Sequence, residues 1–249
     1  MKRCLLVTLF LLTMAVFPAR AASYVVALDA TWPPFEFLNT KGEVTGYTVD
    51  LVAAISREGG FAVDVKASTW DGLFARLNQG KYDIIASSVT ITEERQKQMD
   101  FSLPYFETSQ HLLLPASSDA KTFADLKNKV LGAQTGTMGQ NLVNSHAGFI
   151  IKPYDGLVDA IEALAEGKIE GVVCDRPVAQ YYSNTDEFRG KIKPASFPIT
   201  DVKEFYGFAV RKGDKELLAL INNGLTAVKN KGIEREIYTK WFGAATITH

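Results

Sequence analysis

Short apolar runs of strand type alternate with runs of helical periodicity along this chain, and the alternation restarts near its middle. Residues 24–28 (Tyr-Val-Val-Ala-Leu) read as a strand. Residues 47–58 place Val49, Leu51, Val52 and Ile55 at helical spacing, and Gly59 and Gly60 stop that run. Residues 61–67 alternate Phe61, Val63 and Val65 as a strand does. Residues 70–78 put Leu73, Phe74 and Leu77 on one helical face. Residues 83–86 form the next strand, and Thr92 opens a helix with Glu93 and Glu94 in its first turn, where acids suit the dipole. In the second set, 111–114, 130–133, 171–174 and 205–210 read as strands. Helices are predicted over 123–126, after Gly139, over 155–166 and after Pro177, and 217–229 and 233–241 close the chain. Such alternation predicts an α/β fold with mixed, mostly parallel sheets. Two sets within 249 residues predict two similar lobes. Ligands in this architecture sit beyond the carboxyl ends of the strands, at the lobe interface.

The first 21 residues stand apart from that pattern. Lys2 and Arg3 precede an apolar run over 5–17, and Ala19-Arg20-Ala21 is a small-x-small cleavage site. This order predicts a secretory signal peptide over 1–21 and an exported chain. The run is too short to cross a bilayer, which takes about 20 residues. The early cysteine, Cys4, lies before the run rather than after the cleavage site, so a lipid anchor is not expected. Cleavage would remove Lys2, Arg3 and Arg20, turning 27 basic residues into 24 against 28 acidic ones, a net charge of −4. A mildly acidic chain without a basic block is poorly suited to nucleic acid or anionic membranes. Cys174 would be left as a single cysteine among Val172, Val173 and Asp175, which reads as a small buried hydrophobe on a strand. His111, His146 and His249 lack metal-ligand spacing, so neither metal nor cofactor is expected.

Polar and aromatic residues gather in the loops that follow strand ends. Asp29 and Trp32 follow the first strand, and Trp70 follows the second. Ser87, Ser88, Thr90 and Arg95 follow the third. In the second set, Gln134, Thr137 and Met138 occupy a Gly-rich turn, and Asp175 ends a strand. Unpaired N–H groups at a helix start favour an anion, and Arg95 adds a planar fork that matches a carboxylate. Asp175 supplies the opposite charge. One Arg and one Asp meeting at a cleft answer the two ends of a zwitterion. By spacing alone, Arg95 reads first as a solvated helix residue paired with Glu94 or nearby acids. Trp70 also suits a core staple, and Trp32 before Pro33-Pro34 also suits packing on its lobe.

Several stretches resemble the polar amino-acid-binding proteins of bacterial ABC importers, solute-binding protein family 3, with the type II periplasmic binding fold. They are Trp32-Pro-Pro-Phe-Glu-Phe37, Gly46-Tyr-Thr-Val-Asp-Leu51, Ser88-Val-Thr-Ile-Thr-Glu-Glu-Arg95 with Asp100-Phe-Ser102, Gly171-Val-Val-Cys-Asp175 and Ile237-Tyr-Thr-Lys-Trp-Phe242. The resemblance implies that Arg95 takes an α-carboxylate with backbone N–H groups of Thr90 and Met138. Where Met138 stands the family usually has Thr or Ser, so a hydroxyl is missing here. It implies that Asp175, Thr90 and the Ser88 carbonyl take the α-ammonium, that Trp32 and Trp70 sandwich the side chain, and that Asp29 and Gln134 read its end. Glu36 is expected to brace a lobe, and Asp50 and Asp100 to act as structural caps.

The resemblance also implies a hinge. Lobe 1 would comprise 24–109 plus 200–249 and lobe 2 110–199, with crossings near 108–110 and 197–202. A periplasmic receptor for a free L-amino acid, basic or glutamine-like, serving an ABC transporter permease is the expected function. Two alternatives stay open at this point: a cyclohexadienyl dehydratase-like enzyme on the same fold, and a ligand-sensing partner of a membrane kinase.

Overall fold

The computed structural model describes residues 22–243, so the leader expected over 1–21 lies outside the described residues. Two five-stranded sheets organise the molecule, and they share one topology. The first runs Ala62–Ala67, Ser23–Leu28, Ile84–Ile85, Ala209–Arg211, Met99–Phe101. The second runs Ile150–Tyr154, Val130–Gln134, Gly171–Asp175, Gln110–Pro115, Ile192–Pro194. In each, three parallel strands are followed by one antiparallel strand and then by an edge strand that runs with the first three. The sheets are therefore mixed, with the parallel part where the strand–helix alternation is cleanest.

The antiparallel strands have a common origin. A two-stranded ladder, Phe106–Thr108 against Glu204–Tyr206, joins the two halves, with Glu204 opposite Thr108. The chain leaves one ladder strand to become Gln110–Pro115 in the second sheet, and leaves the other to become Ala209–Arg211 in the first. Each sheet thus receives its antiparallel strand from the hinge. This explains why residues 205–210, expected as one strand, form two. Gly207 lies between them, and a β-carbon there would meet Ile91 Cδ1 at 2.8 Å. The chain bends at that close approach and passes from the ladder to the sheet.

Two other differences are local. The helix expected over 70–78 begins at Leu73, because Gly72 adopts a left-handed conformation (φ 70°) and leaves Trp70 in the preceding turn. A small sheet of Thr31–Trp32, Glu36–Leu38 and Val44–Thr45, whose strands are too short to read from periodicity, follows the first long strand.

Helix Tyr47–Gly59 buries Leu51, Val52 and Ile55, and helix Lys215–Asn230 buries Leu217, Ile221 and Val228. The two pack together on the first sheet's side of the molecule. Their approach is set by Gly224, where a β-carbon would run into the Ile55 carbonyl. Asp50 accepts from Lys240 Nζ and Trp241 Nε1, each at 2.7 Å, and so fastens the last helix to the first. Asp100 accepts from Lys215 Nζ and the Gly213 N–H. Both acids are structural ties.

Gly224→Ala improves helix propensity but removes the clearance between two packed backbones. We expect it to lower stability by about 1–3 kcal/mol, as overpacked cores do, measured by urea unfolding.

Candidate functional site

Four of the six strands of the parallel cores end at a candidate site residue. Asp29 follows Ser23–Leu28, Ser87 and Ser88 follow Ile84–Ile85, Gln134 ends Val130–Gln134 and Asp175 ends Gly171–Asp175. The two sheets therefore aim their carboxyl ends at one another. Asp29, Trp32, Trp70, Ser87, Ser88, Thr90, Arg95, Gln134, Thr137, Met138 and Asp175 all line one cavity of about 350 Å³. The structure thus brings together every residue singled out by sequence.

On the first sheet's side, the Ser87 hydroxyl accepts the Asp29 N–H at 2.8 Å, tying two strand ends together. Ser88 holds a left-handed backbone (φ 46°). A serine in that region is strained, and such positions persist where surroundings over-determine them. Thr92 caps helix Glu93–Gln98 by accepting the Arg95 N–H. The cap takes up the Arg95 N–H, and the helix contributes the Arg95 side chain to the cavity.

Arg95 is half-buried and donates from Nη1 to the Thr90 carbonyl at 2.9 Å and from Nη2 to the Gly136 carbonyl at 3.2 Å. Its guanidinium is held by carbonyls rather than spent on a carboxylate. Trp70 and Phe74 flank it, with Cζ 5.7 Å and 5.4 Å from the ring centres. Burial lowers its proton affinity, opposed by the negative charges of Glu204, Asp175 and Glu94. With a starting value far above neutrality, the group stays cationic.

On the second sheet's side, helix Met138–Ser145 begins at the cavity. Thr137 caps it by accepting the Gln140 N–H, and the Gly136 N–H donates to Gln140 Oε1 at 2.8 Å. The Met138 N–H lies in the first turn and has no partner within the helix. Gly139 allows the helix to lie against the neighbouring strand, since a β-carbon would meet the Val173 carbonyl at 2.6 Å.

Asp175 is 6% exposed. Burial pushes its carboxyl up to about 7, the negative charge of Glu204 adds to the rise, and Tyr206 and Gln110 oppose it. Asp29, 7% exposed, is also raised by burial, against Thr31 and Gln134, which favour its charge. Cys174 is buried, and burial raises its thiol well above the ordinary range.

The lips of the cavity are joined. Trp70 Nε1 donates to the Thr135 carbonyl at 3.0 Å, Gln134 Nε2 to Asp29 Oδ2 at 3.2 Å, and the Tyr182 hydroxyl to the Thr31 carbonyl at 3.0 Å. With the Arg95–Gly136 bond, four contacts connect loops of the first sheet to loops of the second. Tyr182 is thus a rim residue, while Tyr206 is fully buried against Phe35 and Phe106.

Glu36 does not line the cavity. It is wholly buried, and burial pushes its carboxyl well above the ordinary range. The Thr48 and Ser88 hydroxyls oppose that rise. Its place behind Ser88 fits the brace expected from sequence.

Two residues escaped sequence reasoning. Gln110 Nε2 donates to Asp175 Oδ1 at 3.0 Å and to Glu204 Oε2 at 2.9 Å. Both flank the hinge, where a Gln opening an apolar strand and a Glu beside aromatics were the available signals. Burial raises the Glu204 carboxyl, while Gln110, Thr90 and the Arg95 charge pull it back. Among the described residues no group of three His, Cys, Asp or Glu side chains could hold a metal ion. No described helix is long and apolar enough to cross a membrane.

Comparison with known proteins places this arrangement. A histidine-binding protein of Neisseria gonorrhoeae, itself described as probable, is 38% identical over 224 residues, covering 88% of this chain and 82% of that one. The ABC transporter arginine-binding protein 1 of Escherichia coli K12 is 34% identical, covering 95% of this chain and 98% of that one. A solved structure of an ancestral arginine-binding protein bound to glutamine superimposes with a TM-score of 0.84 at 37% identity, covering 90% of this chain and 99% of that one. Residues 24–244 match the model of one family, and the chain belongs to it: the bacterial extracellular solute-binding proteins, family 3.

Proposed function

We propose that this chain is a periplasmic receptor that holds a free polar or basic L-amino acid between its lobes and delivers it to an ABC transporter permease. The observation that carries the proposal is the pair Arg95 and Asp175, which reach one cavity from opposite sheets. Arg95 meets the α-carboxylate together with the Met138 N–H, and Asp175 meets the α-ammonium with Thr90. Trp32 and Trp70 flank the side chain, and Asp29 with Gln134 reads its end. Lobe 1 is 24–109 plus 200–249 and lobe 2 is 110–199. On that division each of the four lip contacts links one lobe to the other. A zwitterion bridging Arg95 and Asp175 favours the closed state by contacts that an open cleft cannot make.

Charge balance favours a basic ligand. Arg95 is the cation among the eleven lining residues, against Asp29 and Asp175, with Glu204 directly behind. A ligand with a cationic side chain brings two positive groups and one negative, and so offsets more of that excess than a neutral one. The relatives named for histidine and arginine point the same way, and the glutamine-bound ancestral protein keeps a side-chain amide within the class.

Thermal denaturation against each of the twenty amino acids tests the proposal. We expect stabilisation by arginine, lysine, histidine or glutamine. Stabilisation by none of the twenty, or turnover of prephenate or arogenate, would overturn it. Asp29→Ala should weaken a basic ligand by about tenfold or more beyond its effect on glutamine, because it removes a charge-assisted partner; calorimetric titration measures both.

Binding should also depend on pH through Asp175. It must be ionised to receive an ammonium, and its ligand-free value is about 7. Affinity should therefore be flat well above that value and fall about tenfold for each pH unit well below it. Asp29 and Glu204, also raised, bend the profile the same way at lower pH. Titrations from acid to mildly alkaline pH should show this slope near neutrality in the wild type and lose it in Asp175→Asn.

A further inference from the structure

Two carboxylates at the hinge share one amide. Gln110 lies opposite Asp175 in the antiparallel pairing of their strands. Its Nε2 donates to Asp175 Oδ1 at 3.0 Å and to Glu204 Oε2 at 2.9 Å, so both hydrogens of the amide are committed. The same Glu204 oxygen accepts from Thr90 Oγ1 at 3.2 Å, so the one hydrogen of that hydroxyl is committed too. Asp175 and Thr90 line the cavity, whereas Glu204 and Gln110 stand behind it.

These commitments fix polarity. A hydroxyl whose hydrogen points at Glu204 offers only lone pairs to the cavity. Lone pairs receive the N–H of an ammonium and repel a carboxylate. The amide is locked the same way: turned over, Gln110 would set its oxygen against two carboxylates. Without Glu204, Thr90 can rotate its hydrogen into the cavity and Gln110 loses one of its two anchors. Resting on the reading that the cavity takes an amino acid, we propose that Glu204 is the positioning residue that keeps Thr90 an acceptor toward the cavity and Gln110 a donor to Asp175, and so selects a protonated α-amino group and the orientation of the ligand.

The test compares amino acids with analogues that lack the α-amino group. The probes are L-arginine with 5-guanidinopentanoate, L-histidine with 3-(imidazol-4-yl)propanoate, and L-glutamine with 4-carbamoylbutanoate, the analogues at millimolar concentration. In Glu204→Met, which keeps length and removes the acceptor, the amino acid should bind about tenfold weaker or worse, while its analogue binds no weaker than to wild type. Glu204→Gln can keep its amide oxygen where Glu204 Oε2 now accepts both bonds, and should lose much less. Equal losses for both members of a pair, or none for either, would overturn the proposal by making Glu204 merely structural. Should Glu204→Met fail to fold, Thr90→Val removes only the hydroxyl at nearly constant shape. It should show the same selective loss, and unchanged selectivity there overturns the proposal. If the wild type binds none of the three amino acids, the reading of the cavity itself fails, a result distinct from the others.

Discussion

A carboxylate almost fully removed from water, with a neutral amide for company, is the constraint around which this molecule is built. Asp175 ends a central strand of the second sheet and receives a hydrogen bond from Gln110 but no cation. Buried charge without a counterion is costly, and the rise of its carboxyl toward neutrality measures that cost. The fold does not supply the missing positive group from within. Arg95, the cation that lines the same cavity, is anchored on the Thr90 and Gly136 carbonyls. The proposed zwitterion would bring the missing cation to Asp175 and its own anion to Arg95.

The two sheets make this geometry available by aiming the ends of their parallel strands at a common gap. Because both lobes have the same topology, each contributes strand-end side chains of the same kind: Asp29 and Ser88 from one, Gln134 and Asp175 from the other. The ladder of Phe106–Thr108 with Glu204–Tyr206 is the covalent and hydrogen-bonded bridge between them. Polar groups on and beside this bridge reach the Asp175 wall of the cavity, so hinge and site share one hydrogen-bond network through Glu204, Gln110 and Thr90.

Much of this was legible in the sequence because strand ends announce themselves. An apolar run that stops at Asp, Ser or Gln marks both the edge of a sheet and a side chain facing the gap, which is why Asp29, Ser87, Gln134 and Asp175 could be named. Arg95 alone was ambiguous, since a helix arginine beside two glutamates is an ordinary sight; the chain-long resemblance decided its reading. Gln110 and Glu204 were illegible for a physical reason. They are buried polar residues at the starts of strands, bonded to each other and to groups far away along the chain, and no local pattern encodes such a pairing. The strand over 205–210 was read as one because Gly207 interrupts neither apolarity nor alternation, only the direction of the chain. Periodicity draws Trp70 into its helix, although that helix starts only at Leu73, after the left-handed Gly72.

The position of Ala209–Arg211 bears on how the molecule is made. This strand lies inside the first sheet, between Ile84–Ile85 and Met99–Phe101, although it comes from the last part of the chain. A ribosome delivers the N-terminal strands first, yet their sheet stays split until this late segment arrives. The second sheet uses only strands between Gln110 and Pro194 and has all its parts earlier. Until the late strand is in place, Ile84–Ile85 and Met99–Phe101 are unpaired edges facing each other across a gap, the kind of surface that recruits foreign strands. The lobe that begins the chain is thus the last to be finished, and its early exposure is a period of vulnerability that the mature fold conceals.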